Sequence, residues 1–271
     1  MTADIDYGYW REEHRSILES FPDKDVLLFF SGGKDSSLAM DFLAKAAEEF
    51  GFIFEAHAAA FPAHRYTMPE RDRMETYWNK RDIDIIWHDL GVTDDCLRES
   101  KNPCIPCRDL RKKLLRTLMK KSENRLANLV LVINFSLWDL VGYTLEHILS
   151  DIFSKAAEGK GIQKSLRFIE TSQRFYPLLK MKEGYTIFRP LIKYNNGDIL
   201  ELIERKSIPL LSIPCEFRDY RPKRIFEKYY NLMGLQFSYE KVFDFSKKNL
   251  DLPDASSYSG IEKEEYLRDI F

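Results

Sequence analysis

The chain has 271 residues, a net charge of −2, 44% hydrophobic and 31% charged residues. That size fits one large domain or one domain with an appendage, and the balance is that of a globular chain rather than a disordered or membrane-embedded one. A charge near zero also argues against a broadly basic nucleic-acid binder, so any RNA contact must come from a local patch.

The predicted elements alternate between strand and helix. The N-terminal stretch 1–22 is acidic and aromatic, lacks a signal-peptide core, and is expected to hold a helix. "DVLLFF" (25–30) is a short apolar run of the kind a buried parallel strand needs. A helical pattern follows, with Leu38, Phe42, Ala46 and Phe50 on one face. "FIFEAHAAAF" (52–61) predicts a second strand and "TMPERDRMETYWNKR" an amphipathic helix. "IDIIWHDL" (83–90) predicts a third strand, and a charged helix covers about 106–122. "LVLVINF" (129–135) predicts a fourth strand, followed by a long helix over 137–158. The segment 159–185 is of mixed polarity and reads as an excursion from the sheet. "TIFRPLI" (186–192) predicts the fifth strand and "NGDILELIERKS" its helix. Residues 1–245 are thus expected to form one α/β domain, a parallel five-stranded sheet with helices on both faces, and 246–271 a peripheral tail. No apolar run is long enough to span a membrane, and a cytoplasmic location is expected.

Between the first strand and its helix stands "SGGKDSS" (31–37). Glycines let the backbone turn sharply and approach a ligand, while the helix start offers unpaired N–H groups and a positive dipole end. Together they make an anion site suited to phosphate, at the strand end where ligands bind in parallel sheets. Lys34 adds a point charge, and Ser31, Ser36 and Ser37 add hydroxyl donors. The string is neither the Walker A nor the Rossmann pattern.

Four cysteines are present: Cys96, Cys104, Cys107 and Cys215. "NPCIPCRDLRKK" sets Cys104 and Cys107 two residues apart at the opening of a basic helix, where the dipole, Arg108 and Arg111 favour thiolates. Cys215, in "SIPCEF", follows the fifth strand unit, and sheet order can bring it to the same end. Three cysteines with one open position suit a [4Fe–4S] cluster; Cys96 as a fourth ligand suits structural zinc or a closed cluster; buried cysteines without metal are the remaining reading.

The string "SGGKDSS" resembles the PP-loop of the ATP pyrophosphatase superfamily, with its adenine nucleotide alpha-hydrolase-like fold. Together with "NPCIPCRDLRKKLL", "FRPLIKYNNGDILELI" and "IPLLSIPC", in that order over residues 20–217, it resembles the TtcA family of iron–sulfur tRNA 2-thiocytidine synthetases. The resemblance implies that Ser31, Gly32, Gly33, Lys34, Asp35, Ser36 and Ser37 cradle the phosphates of ATP with Mg²⁺. It implies that Cys104, Cys107 and Cys215 hold a [4Fe–4S] cluster. It further implies that a cytidine carbonyl of tRNA is adenylated and its oxygen replaced by sulfur. A sulfur donor such as a cysteine desulfurase and an electron donor are implied as partners, and a homodimer is compatible with it. Lys34, Asp35 and Asp139 are the catalytic candidates.

The chain departs from the family twice. The signature G-H-H-x-D-D-x-x-x-T reads here "VINFSLWDLVGYT"; with Thr144 setting the register, Asp139 matches the first aspartate, Leu140 replaces the second, and Asn134 and Phe135 stand where the histidines would. Asp139 serves either magnesium or the helix dipole. After Cys215 the family often has a further cysteine, where this chain has "CEFRDYRPKR". These departures leave open the same chemistry on a substrate other than tRNA, and an ATP-dependent amidotransferase or ligase.

Lysines and arginines between Lys101 and Arg125, and "RPKRIFEKYY" (221–230), offer phosphate contacts, with Tyr229 and Tyr230 as stacking candidates. His57, His64, His88 and His147 read as structural or surface groups, and Arg189 as a candidate for phosphate or for the cluster surroundings.

Overall fold

The structure is a computed structural model and describes residues 5–153, 167–221 and 223–270. Six strands form one sheet in the order β3-β2-β1-β4-β6-β5: β1 Asp25–Phe29, β2 Phe54–Ala59, β3 Ile85–His88, β4 Leu129–Val132, β5 Leu178–Lys180 and β6 Thr186–Phe188. The five expected strands pair in parallel. The sixth, β5, pairs antiparallel with β6 at the sheet edge, inside the segment expected to leave the sheet. Three residues are too few to show an alternating pattern; what makes the strand is a tight return, with Met181 N–H donating to Tyr185 (2.9 Å) and Gly184 at φ +89°. Residues 154–166, including the first part of that segment and the expected end of the fourth strand's helix, lie outside the described residues.

Alternation along the strands sorts the core into two layers. Val26, Leu28, Val130, Val132 and Phe188 face one side, where α1 (Tyr7–Leu18), α2 (Lys34–Phe50) and α3 (Met68–Asn79) pack. Leu27, Leu129, Leu131 and Ile187 face the other, under α5 (Cys104–Lys121) and α6 (Leu137–Phe153), with α4 (Asp95–Arg98) just ahead of α5. A helix at Asn196–Arg205, α7, returns to the first side against α2. The C-terminal stretch expected to be peripheral supplies Leu252, Tyr258, Tyr266 and Leu267 to the second layer, all buried. Its mean polarity conceals these four anchors. Among the described residues no helix is long and apolar enough to cross a membrane.

β1 lies between β2 and β4, so the chain reverses direction across the sheet at β1. The crevice this opens, beyond the carboxyl ends of β1 and β4, is where an open parallel sheet binds its ligand.

The first layer is closed by α1, whose Trp10 Nε1 and His14 Nε2 both reach the carbonyl of Pro190 (2.9 and 3.1 Å), just past β6. Burial pulls the His14 pKa down to about 4, against the nearby Glu13 carboxylate, which favours the charge. A histidine with a folded-state pKa below its unfolded value stabilises the fold above the unfolded pKa, and that stability is lost as pH falls towards the folded one. The chain should therefore lose about 3 kcal/mol between pH 6.5 and pH 4 through this residue. Urea unfolding of wild type and His14→Gln across that window checks it, since the variant lacks this component of the decline.

Candidate active site

Segment 31–37 sits at the end of β1 as expected, with Gly33 as N-cap of α2. The loop is shaped from within. Ser36 Oγ donates to the Gly33 carbonyl (3.1 Å) and accepts from Ser31 N–H (3.1 Å); Ser31 Oγ lies 3.0 Å from Ser36 Oγ. Ser36 is thus tied into the loop rather than presented as a donor. Ser37 is fully buried, and its Oγ has no partner, which leaves a donor unused at the base of the loop. Lys34 Nζ pairs with Asp35. The first-turn N–H groups of α2 have no acceptors within the helix. A curled loop, an unused hydroxyl, a lysine and a helix start make a cradle for phosphate.

Gly32 has φ +63°, and a Cβ there would lie 2.6 Å from Leu211 Cγ. Leu211 N–H also donates to the Gly32 carbonyl (2.9 Å). Leu211 belongs to a strap, residues 210–216, that crosses the carboxyl edge of the sheet. Glu70 takes Ser212 N–H (2.8 Å) and Ser212 Oγ (2.6 Å); Arg73 donates to the Leu210 carbonyl (2.5 Å) and Arg65 Nε to that of Ile213 (3.1 Å). Tyr66 OH, from the same β2 loop as Arg65, donates to the Ser31 carbonyl (3.1 Å). The strap ends on Cys215.

Cys104 is the first residue of α5, and Cys107 lies one turn on, buried with Phe61, Leu97, Cys96 and Phe217. Burial pushes the Cys107 thiol up, Arg111 and Arg221 pull it down, and the neighbouring Cys215 and Cys104 push it up again. The net direction is upward, so burial overrides the cations expected to favour a thiolate. Cys96 is also pushed up, by burial and then by Asp94 and Cys107. Arg108 turns away to Asp109 (3.2 Å) and Glu170 (3.7 Å). Arg111 stays: its Nη2 donates to the Phe61 carbonyl (2.9 Å) while its Nε is buried without a partner. Burial works against that charge, but Cys107, Tyr66, Cys215 and Cys104 outweigh it and hold its pKa up. Cys104, Cys107 and Cys215 all lie near enough to Arg111 to act on its charge. Among the described residues no three His, Cys, Asp or Glu side chains are placed to share one metal ion. A [4Fe–4S] cluster takes each cysteine on a separate iron, and its anionic core suits a guanidinium with an unpaired buried N–H.

Beyond β4, Asn134 Nδ2 donates to the Phe29 carbonyl (3.2 Å), bridging the two strands of the crevice, and its Oδ1 is buried without a partner. Asp139 is buried, and its Oδ2 accepts from Ser136 N–H (2.9 Å) and Ser136 Oγ (3.3 Å). Its carboxylate thereby takes up a free N–H at the start of α6.

Arg189 does not reach the site. It is buried in the second layer, donating to the Tyr176 carbonyl (2.9 Å) and to Gln173. Tyr230 is 4% exposed and packs edge-on against Trp138 (5.4 Å), so it cannot stack on a base, whereas Tyr229 is 53% exposed. Sequence reading missed Glu70, Asp94 and the strap. The only available signal was "IPLLSIPC", whose two prolines mark an extended path.

No family model matches the chain, and no curated protein matches it. Among solved structures, the U34-tRNA thiolase NcsA from Methanococcus maripaludis with its [4Fe-4S] cluster superposes with a TM-score of 0.63 at 16% identity, over 96% of this chain and 88% of that one. An NH3-dependent NAD synthetase from Campylobacter jejuni (TM-score 0.47, 12% identity, 92% and 98% covered) and an NMN synthetase from Francisella tularensis (0.45, 13%, 94% and 90%) are also similar. What the thiolase shares with this chain is the fold, and that fold is the one expected of a PP-loop protein.

The contact between strap and loop is testable. Gly32→Ala forces a left-handed residue, costing about 1–2 kcal/mol, and drives its Cβ into Leu211. In a Leu211→Ala background only the backbone cost remains. Denaturant unfolding of the four proteins should show Gly32→Ala to be the milder change in the Leu211→Ala background.

Proposed function

We propose that this chain is an ATP-dependent sulfurtransferase that thiolates a base of tRNA. The observation that carries the reading is the strap 210–216, which packs Leu211 on Gly32 of segment 31–37 and carries Cys215, one of the thiols whose charge acts on Cys107. This path supports a reading in which phosphate chemistry and thiol chemistry work near one another. The fold likeness to a tRNA thiolase that carries a [4Fe-4S] cluster supports the same reading.

Segment 31–37 holds the β- and γ-phosphates of Mg-ATP, with Lys34 balancing their charge and Asp35 orienting Lys34. The substrate's carbonyl oxygen attacks the α-phosphate and pyrophosphate leaves, so the carbon acquires AMP as a leaving group. A [4Fe–4S] cluster held through Cys104, Cys107 and Cys215, when bound, supplies the sulfur that replaces that oxygen. Arg111 stabilises negative charge beside the three thiolates. Asp139 fixes the start of α6 through Ser136, and Asn134 ties the end of β4 to β1 through the Phe29 carbonyl. Tyr229 and the exposed cations of α5 contact the RNA.

Anaerobically purified protein should contain about four irons and four acid-labile sulfides per chain, and Cys215→Ala should lose them. Transfer RNA from a strain lacking the gene should lack one thiolated nucleoside. Stoichiometric zinc would move the reading to an amidotransferase or ligase. An intact cluster with an unchanged nucleoside profile would move it to a substrate other than tRNA. No metal after anaerobic reconstitution would overturn sulfur transfer.

A further inference from the structure

The mechanism above leaves the pair Asp94 and His64 unused. Asp94, 6% exposed and just ahead of α4, accepts Ala63 N–H on Oδ1 (2.8 Å). Its Oδ2 accepts both His64 N–H (2.9 Å) and His64 Nδ1 (2.7 Å). On its far side the His64 ring meets Glu216 N–H at Nε2, 3.1 Å away. A backbone N–H can only donate, so Nε2 carries the lone pair and the proton sits on Nδ1, pointing at Asp94. Every polar atom of the ring is engaged, and one tautomer satisfies both partners. The hydrogen bonds from His64 and Ala63 outweigh burial and hold the Asp94 carboxyl below its ordinary range, so it remains an acceptor. The peptide that His64 grips is the one between Cys215 and Glu216. Phe217 closes on the ring edge-on, with centroids 5.8 Å apart, and packs against Cys107 on its other side.

We infer that His64 is the positioning residue that seats Cys215 beside Cys104 and Cys107, and that Asp94 acts by fixing the tautomer that lets it do so. The purpose of that seating rests on the reading of Cys215 as a cluster ligand, but the seating itself can be measured without any metal.

The test uses metal-free protein in a Cys96→Ser background, treated with a short bis-alkylating thiol cross-linker, with Cys107–Cys215 and Cys104–Cys215 products counted by peptide mapping. His64→Phe keeps the ring against Phe217 but removes the acceptor. Asp94→Asn leaves one acceptor oxygen for three N–H donors and sets an N–H2 against at least one of them, so the carboxylate's simultaneous hold on Ala63 and His64 is lost. In both, the cross-linking rate to Cys215 should fall about fivefold, the factor one hydrogen bond of ordinary strength sets. His64→Gln, whose amide oxygen reaches the Nε2 position, should recover most of the parent rate. Thermal unfolding identifies any variant that fails to fold, and the rescue by glutamine separates the hydrogen bond from simple packing. Parent-like cross-linking in folded His64→Phe and Asp94→Asn, or no recovery in His64→Gln, would overturn the inference. Because the readout needs no iron, a protein that takes up no cluster would defeat the sulfurtransferase reading and leave this result standing.

Discussion

Leu211 lies on the bare face of Gly32 and donates its N–H to the Gly32 carbonyl, and the arrangement of the site depends on that contact. The loop at 31–37 curls because glycine occupies a left-handed position there. That same absence of a side chain admits Leu211, so the strap can lie directly on the loop. Once seated, the strap is gripped by Glu70, Arg73, Arg65 and His64, all from the stretch that follows β2. Cys215 stands four positions after Leu211, which contacts the loop. At most about 3.5 Å per residue, the two chemistries lie within about 14 Å along the chain.

The electrostatics of the cysteine corner run against its burial. Arg111 brings a guanidinium into an apolar corner where its Nε finds no acceptor, and among the described residues no carboxylate lies within ion-pair distance of it. Charges in such places require a partner of opposite sign. The partners at hand are thiols, and Cys107 is held towards its neutral form by burial. A ligand that draws the proton off Cys107 would give Arg111 an anionic neighbour and relieve that conflict.

Much of this was legible in the residues alone. The five parallel strands showed as apolar runs because both faces of the sheet are covered, and "SGGKDSS" marked the turn from β1 into α2 because small residues let the chain curl there. The path of Cys215 was legible only in part: strand order returns its segment to Gly32 at the end of β1. What stayed hidden depended on tertiary partners. β5 is three residues long and takes its identity from β6. Tyr230 and Tyr229 are adjacent and alike in sequence; only the packing of Trp138 and Phe237 separates the buried one from the exposed one. Arg189 reads as a functional cation beside a proline, and only the fold turns it inward.

Asp139 shows why the altered signature after β4 is the part of the site to weigh last. A motif aspartate can serve a metal or a helix, and here its Oδ2 is engaged by Ser136 N–H and Oγ at the start of α6. Beyond β4, Asn134 has its Nδ2 fixed on the Phe29 carbonyl and its Oδ1 buried without a partner. An unpaired acceptor thus stands where the resembling family carries histidine, which can accept or donate. The altered loop therefore differs from that family in hydrogen-bonding character at Asn134, while its aspartate serves the start of α6.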